Sequence, residues 1–350
     1  MLASKRPSYR GRVLVHQIPA LREYWYPVAY AADVTDEPQL FRIFSEDYVM
    51  WRPTSDGALR AARDECPHRS ASLSQGWVAD GCLTCPYHAW AFDPEGSCVR
   101  IPSSDSATPI PRRAQLQTVL AGERYGLAWV CVGVPRADIP VLPEAEAPGF
   151  TLIHEMKEVW AASAPRIVDN ALDVTHVPFV HRGTIGNPDA PRLGELSVES
   201  EGLSLRYRTS QEAKVSPQLS ANTGITSATT VRVATVELVN PLTYRGVLEY
   251  VDNGLIHVLL KAATPIDDHT TLFFQFVARN DNPDEVKQQG IIDVDRAVQS
   301  EDRAILERTK PDFPVDITEE VHTRADRMTI EYRRILGLLA AESGMVTSSG

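Results

Sequence analysis

Two short stretches each pair a thiol with an imidazole. Cys66-Pro67-His68 is followed, after sixteen residues, by Cys85-Pro86-Tyr87-His88. Brought together, they offer two soft thiolates and two imidazoles. A [2Fe–2S] cluster with cysteine on one iron and histidine on the other uses that set. Exchanging two thiolates for imidazoles lowers the negative charge at the centre and raises its potential, to about −150 to +300 mV. The prolines stiffen both loops. Structural zinc also accepts two Cys and two His, but its ligands usually pair as Cys-x2–4-Cys and His-x3–5-His. Cys-x-His is tighter than that, and Cys82-Leu83-Thr84-Cys85 has no second CxxC to partner it. The cluster is the better reading. Cys82, Cys98 and Cys131 are then expected to be buried apolar residues.

A second constellation lies in DNALDVTHVPFVH at 169–181. Asp173 and His176 are three apart, so on a helix they share a face. His176 and His181 are five apart, which points them about 140° apart on one continuous helix. Pro178 between them should end or kink that helix, letting His181 swing toward the same point. Two His plus one carboxylate form the facial triad of non-haem Fe(II) oxygenases, which leaves positions open for O₂. The carboxylate must come from elsewhere, and it should interrupt an apolar stripe. On an expected helix at 285–309, Asp302 is flanked by Val298, Ile305 and Leu306, while Asp295 has Ile291 and Val298. Asp293 fails the same test. Periodicity does not separate Asp302 from Asp295.

The elements that must position these residues change character along the chain. Residues 24–135 are rich in short β-type runs (Trp25–Tyr30, Leu40–Phe44, Tyr48–Trp51, Leu127–Val134) punctuated by Gly, Pro, Asp and Ser. Residues 134–149 carry four prolines and read as extended. Beyond them a helical stretch precedes Pro178, and β-runs recur at Leu203–Tyr207, Thr230–Leu238, Val247–Tyr250, His257–Leu260 and Thr271–Val277. Asp252-Asn253-Gly254 marks a hairpin turn. Helices are expected at 285–309 and 318–341; in the second, Val321, Ala325, Met328, Tyr332, Ile335 and Leu339 form one stripe. The expected organisation is a flexible N-terminal arm at 1–22, an all-β domain at 23–135, a Pro-rich linker at 136–149, and an α+β domain with an antiparallel sheet at 150–345.

The bulk numbers exclude several functions. A net charge of −11 argues against nucleic acid. The longest apolar run, Tyr125–Val134, is too short for a membrane span, which needs about 20 residues. Five cysteines, unevenly spread and without an export signal, argue against a disulfide framework and for a cytoplasmic protein. No Gly-x-Gly-x-x-Gly follows a strand, so a nicotinamide or flavin site is not expected.

The cysteine–histidine motifs, within CPHRSASLSQG and CPYHAW, resemble the Rieske domain of ring-hydroxylating and related oxygenases. Many of those proteins have Gly where this chain has Ser70 and Ala89. Asp173-x2-His176-x4-His181 is similar to the motif at their mononuclear iron, and Glu301–Glu307 resembles the segment with the third ligand, which favours Asp302. The likeness runs from about Trp25 to Leu339 and is nearest to dicamba monooxygenase, vanillate O-demethylase, pheophorbide a oxygenase and the saxitoxin-pathway hydroxylases. It implies a helix-grip (START-like) second domain whose curved antiparallel sheet and long helix enclose an apolar pocket. Implied as well are a Rieske [2Fe–2S] cluster on Cys66, His68, Cys85 and His88, and mononuclear Fe(II) on His176, His181 and Asp302. Asp173 would bridge that iron to a cluster histidine of a neighbouring subunit, within a homotrimer or trimer-based ring, and Asn170 would stand near the iron. Electrons from NAD(P)H would arrive through a separate reductase, with or without a ferredoxin. O₂ would then oxidise a C–H bond of a small molecule, with hydroxylation favoured over demethylation, cis-dihydroxylation or desaturation. Two rival readings remain: an electron carrier with a ligand-binding domain, and a zinc-stabilised binding protein.

Overall fold

The computed structural model describes residues 12–53, 57–105 and 107–342. Residues 1–11 of the expected arm and 343–345 of the expected second domain lie outside the described residues. The chain separates into two compact units. One is Arg22–Ile139; the other combines the described residues up to Leu21 with those from Pro140 onward.

The first unit is all β. One sheet runs, in order, Tyr26–Tyr30, Leu127–Cys131, Thr118–Arg124, Arg60–Arg63, Glu46–Trp51 and Gln39–Ile43. The other is a short four-stranded meander, Trp77–Ala79, Cys82–Thr84, Ala91–Phe92 and Cys98–Arg100. Val49, Trp51, Leu73, Leu83, Phe92 and Leu116 form a core that also buries Cys66, Cys85 and Cys98. Gly76 has to be glycine here, because a Cβ would lie 2.0 Å from the Thr84 carbonyl oxygen. Cys98 and Cys131 are buried as expected, whereas Cys82 is half-exposed.

The second unit is built on a seven-stranded antiparallel sheet ordered Thr151–Trp160, Thr271–Arg279, Leu255–Pro265, Thr243–Tyr250, Thr229–Asn240, Ser204–Lys214 and Ser197–Glu201. The long helix Glu285–Leu306 packs against the first of these strands and the helix Pro217–Thr223. Its start is set by Asp284, whose carboxylate accepts from the Lys287 N–H at 2.8 Å. The long helix stops at Leu306 rather than 309, where Thr309 Oγ1 donates to the Leu306 carbonyl.

Three expectations about the second unit need correction. The C-terminal helix is Arg327–Glu342, preceded by a 3-10 turn at Arg324–Asp326, so it begins well after residue 318. Thr323 and Asp326 form a capping box that fixes this start. Met328, Tyr332, Ile335 and Leu339 are buried, but Val321 precedes the box and is 97% exposed. The 12–22 stretch is not a free arm. Arg12–Val13 pairs with Phe313–Pro314, Ile18 and Leu21 are buried, and His16 contacts Asp268 at 2.7 Å. The proline-rich stretch holds a short helix, Pro143–Glu146, whose Glu144 pairs with Arg245.

Candidate metal centres

The two cysteine–histidine loops are built alike. In the first, the Cys66 N–H donates to the Ala71 carbonyl and the Ser70 N–H to that of Cys66, both at 2.9 Å. In the second, the Cys85 N–H donates to Trp90 at 2.9 Å and the Ala89 N–H to Cys85 at 3.0 Å. Closing so short a loop takes a left-handed residue at the fourth step, and Ser70 (φ 54°) and Ala89 (φ 55°) supply it. These are the two positions at which the sequence departs from the glycine of many Rieske-type relatives. The thiols are buried, and the imidazole rings of His68 and His88 lie 4.6 Å apart. Trp90 stacks on His68 at 4.3 Å. Burial, together with the facing Cys85 thiol, pushes the Cys66 thiol up to about 11, and His68 Nδ1 has no hydrogen-bond partner. Two adjacent buried sulfurs and two adjacent imidazoles suit a cluster that takes thiolates on one side and nitrogens on the other.

The second constellation forms differently from the helical reading. The helix Ala164–Leu172 ends at Asp173, the C-cap, whose Oδ1 accepts from the Thr175 N–H at 2.7 Å and its hydroxyl at 2.6 Å. That local turn breaks the helix, so Asp173 and His176 do not share a helical face. A new short helix, Val177–Val180, then has His176 as its N-cap and His181 as its C-cap. Pro178 sits in its first turn, so it starts a helix rather than ending one. With the rings at opposite ends of a single turn, their centroids are 5.2 Å apart.

Asp302 completes the group from the long helix. Its Oδ1 lies 3.4 Å from His176 Nε2 and 3.3 Å from His181 Nε2. One ligand atom from each of the three lies within 4.8 Å of the others. His181 is 2% exposed and Asp302 7%, and Asp302 Oδ1 has no hydrogen-bond partner. Burial would raise the Asp302 carboxyl, but the two imidazoles hold it far below the carboxylate range. Burial likewise opposes charge on His176, which the Asp173 and Asp302 carboxylates raise to about 9. Behind the rings, His181 Nδ1 contacts Glu301 Oε2 at 2.9 Å, an oxygen that also accepts from Thr184 Oγ1 at 2.7 Å. His176 Nδ1 lies 3.7 Å from Asp173 Oδ2. The donor set, two nitrogens and a carboxylate oxygen with open sides, suits a non-haem iron.

This group opens on a cavity of about 170 Å³ in the second unit, which Asn170 and Asp173 also line. Strand alternation builds its walls: Tyr207, Thr209 and Gln211; Arg232, Ala234 and Val236; Tyr244, Gly246, Leu248 and Tyr250; His257, Leu259 and Lys261. The long helix contributes Asp295, Val298, Asp302 and Leu306. Asp295 is not beside the two histidines. It joins Glu155 and His257 in a separate buried cluster, with His257 Nε2 at 3.1 Å. His257 lines the cavity from its strand. Sequence reasoning missed Glu301 and Glu155. Glu301 stands next to Asp302, a visible signal. Glu155 is the extra residue of a β-bulge between His154 and Met156, which period-2 patterning does not announce.

Residues 24–118 match the Rieske [2Fe-2S] domain, and residues 160–342 match the Vanillate O-demethylase oxygenase C-terminal domain. The chain is 30% identical over 327 residues to the methylxanthine N1-demethylase NdmA of Pseudomonas putida, covering 90% of this chain and 88% of that one. It is 36% identical over 166 residues to the aminopyrrolnitrin oxygenase PrnD of Pseudomonas fluorescens, 45% of each chain. The solved structure of NdmA matches with a TM-score of 0.79 at 25% identity, over 93% of this chain and 92% of that one. Dicamba monooxygenase bound to dicamba shares the fold, with a TM-score of 0.77 at 21% identity over 93% and 99%. No helix among the described residues is long and apolar enough to cross a membrane. With both domain models matched in order and a relative aligned along nearly its full length, the chain belongs to the Rieske non-haem iron oxygenases, enzymes with a [2Fe–2S] cluster and a mononuclear iron that oxidise small organic molecules using O₂ and electrons supplied by a partner protein.

Proposed function

We propose that Cys66, His68, Cys85 and His88 hold the cluster, that His176, His181 and Asp302 hold the mononuclear iron, and that the enzyme inserts oxygen into a C–H bond of a substrate bound in the cavity beside Asp302. The observation that carries this reading is the convergence of His176 Nε2, His181 Nε2 and Asp302 Oδ1 on the wall of one cavity. When bound, the cluster supplies single electrons and the iron supplies open coordination positions for O₂.

The chain's own residues prepare that chemistry. Glu301 holds the His181 ring by its Nδ1, leaving Nε2 free to face Asp302. Asp173 stands behind His176 in the same way, at a longer distance. Val298 and Leu306 add apolar surface to the helix side of the cavity around Asp302. Asn170 faces the cavity from the preceding helix as a polar group near the site.

The electron route belongs to the same reading. Asp173 is partly exposed, and His88 reaches the surface of its own unit, which suits transfer from the cluster of one chain to the iron of the next. A head-to-tail contact of this kind would close as a ring, in this reading a homotrimer or trimer-based ring. A reductase, with or without a ferredoxin, would deliver electrons from NAD(P)H to the cluster, and five cysteines free of disulfides suit a reducing, cytoplasmic setting.

Metal analysis tests the assignment, with about three irons per chain expected from one cluster and one mononuclear site. His176→Ala should abolish turnover while the low-average-g EPR signal of the reduced cluster persists. Turnover surviving that substitution would remove the mononuclear-iron assignment. Oxidative demethylation is the second reading, favoured by the full-length similarity to a methylxanthine N1-demethylase. Product mass separates the two: hydroxylation adds one oxygen, whereas demethylation removes CH₂ and releases formaldehyde.

A further inference from the structure

Arg232 lines the cavity and is 8% exposed. Its Nε has no hydrogen-bond partner, and no carboxylate pairs with its guanidinium among the described residues. A buried guanidinium without a counter-charge costs several kcal/mol in general, and such groups are normally paired. The other charged groups on the wall have already found company. Asp295 lies against His257 at 3.1 Å. Behind the wall, burial and the neighbouring Asp295 push the Glu155 carboxyl well above its usual range, and Gln275, which does line the cavity, donates to it at 2.7 Å. Lys261 feels Asp302, Asp295 and Glu155 together. Arg232 is left over.

Its surroundings point the same way. Strand register sets Gln211, Arg232 and Tyr250 side by side in one cross-strand row, and all three line the cavity. The Gln211 side-chain amide is buried, with its nitrogen unpartnered. Tyr250 lies beside the guanidinium as its polar neighbour. The phenol oxygen takes one guanidinium donor, and the Gln211 amide nitrogen and Arg232 Nε remain in the same buried row as donors without an acceptor. The row stands toward the Asp295 end of the cavity, since Tyr250 feels Asp295 while Tyr244 feels Asp302. Asp295 and Asp302 are two helical turns apart, on the order of 10 Å along the axis.

We infer that Gln211, Arg232 and Tyr250 form a recognition site for a carboxylate on the substrate, so that this oxygenase acts on an organic acid whose anionic group is held away from the carbon it oxidises. The substrate's carboxylate supplies the counter-charge that Arg232 lacks, in the planar two-point geometry that a guanidinium favours. The part of the inference that names the substrate rests on the oxygenase reading; the anion site itself does not.

The test uses the full-length holoenzyme and calorimetric binding of benzoate and 4-phenylbenzoate, each against its neutral amide. An acid should bind at least tenfold more tightly than its amide, and Arg232→Met should remove that preference. The same variant should leave the unliganded protein as stable as the wild type, or more so, because it deletes a buried unpaired charge. Arg232→Lys should retain part of the preference. If neither acid outbinds its amide, or if Arg232→Met lowers the melting temperature of the unliganded protein, the guanidinium is a structural group and the inference falls. His176→Ala keeps the two readings apart, because it should abolish turnover and leave the preference for the acid intact. Loss of the preference in that variant would place the acid on the iron and also overturn the inference.

Discussion

At Cys66 and Cys85, each thiol and its partner imidazole come from one loop of a few residues, closed by its own backbone hydrogen bonds and repeated almost unchanged nineteen residues on. At His176, His181 and Asp302 the groups come from a broken helix and from a second helix more than a hundred residues later. The first arrangement needs little beyond local turn geometry and the small core beneath it. The second exists only if the helix Ala164–Leu172, the turn after it and the long helix are all held in place. Damage far from the chemistry should therefore disable the mononuclear site and spare the cluster loops.

The largest test of that contrast lies on the long helix itself. Asp302→Ala should abolish turnover and leave about two irons per chain, those of the cluster. Asp295→Ala, two turns away on the same face, should retain about three. If Asp295→Ala lost the mononuclear iron and Asp302→Ala kept it, the assignment of the third ligand would be reversed.

A second test reaches the site from behind. Arg333 is buried in the C-terminal helix and grips Asp169 with both terminal nitrogens, at 2.5 and 3.2 Å, and Glu320 at 2.6 Å. Arg166 joins the same network, and both guanidiniums lie over the Phe313 ring, 4.8 and 4.7 Å from its centroid. This network ties the helix bearing Asn170 to the last helix of the chain. Arg333→Met would leave the buried Asp169 carboxylate with Arg166 alone, at 3.2 Å, and should cost about 3 kcal/mol. In thermal unfolding followed by far-UV dichroism, the second unit should melt earlier. The visible absorbance of the cluster should persist through that first transition, and its simultaneous loss would show that the two sites do not fail separately.

Glu301→Gln is a smaller perturbation of the same site. It keeps the shape but weakens the acceptor behind His181, and such a change typically costs about 10–100-fold in metal affinity. Chelator competition should release the mononuclear iron that much more readily, with the cluster signal unchanged. An unaltered affinity would show that the 2.9 Å contact does not orient the ring.

The same contrast explains what could be read without coordinates. Cys66-Pro-His68 and Cys85-Pro-Tyr-His88 announce themselves because each loop contains its own ligands. Asp302 does not, since residues seven apart drift only about 20° around a helix and so share a face. The apolar stripe passes Asp295 equally well; cross-strand register then gives Asp295 to His257 and Glu155, and no local pattern contains that register. The error at Val321 was avoidable, because Thr323-x-x-Asp326 is a helix-start signature that marks where the stripe should begin. A helix carried through Asp173 as far as Pro178 runs past its true end at Leu172. A short carboxylate that can bond its own downstream N–H is a helix breaker, and Asp173 does so through Thr175.

The smallest test concerns the loops. Ser70 and Ala89 hold left-handed backbone at φ 54° and 55°, a conformation that costs a residue with a Cβ about 1–2 kcal/mol. Ala89 has nothing to offset it, so Ala89→Gly should stabilise the first unit by about 1 kcal/mol, less the extra freedom that glycine gains in the unfolded chain. Ser70 differs because its hydroxyl donates to Glu65 at 2.6 Å. Ser70→Gly gives up that bond, so its gain should be smaller, near zero. Denaturant unfolding of each variant, read by cluster absorbance, should rank Ala89→Gly above Ser70→Gly, and the reduced EPR signal should be unchanged in both. A destabilised Ala89→Gly would mean that the loop needs its Cβ for packing. The two cluster loops, alike in their backbone hydrogen bonds, would then be held by different forces.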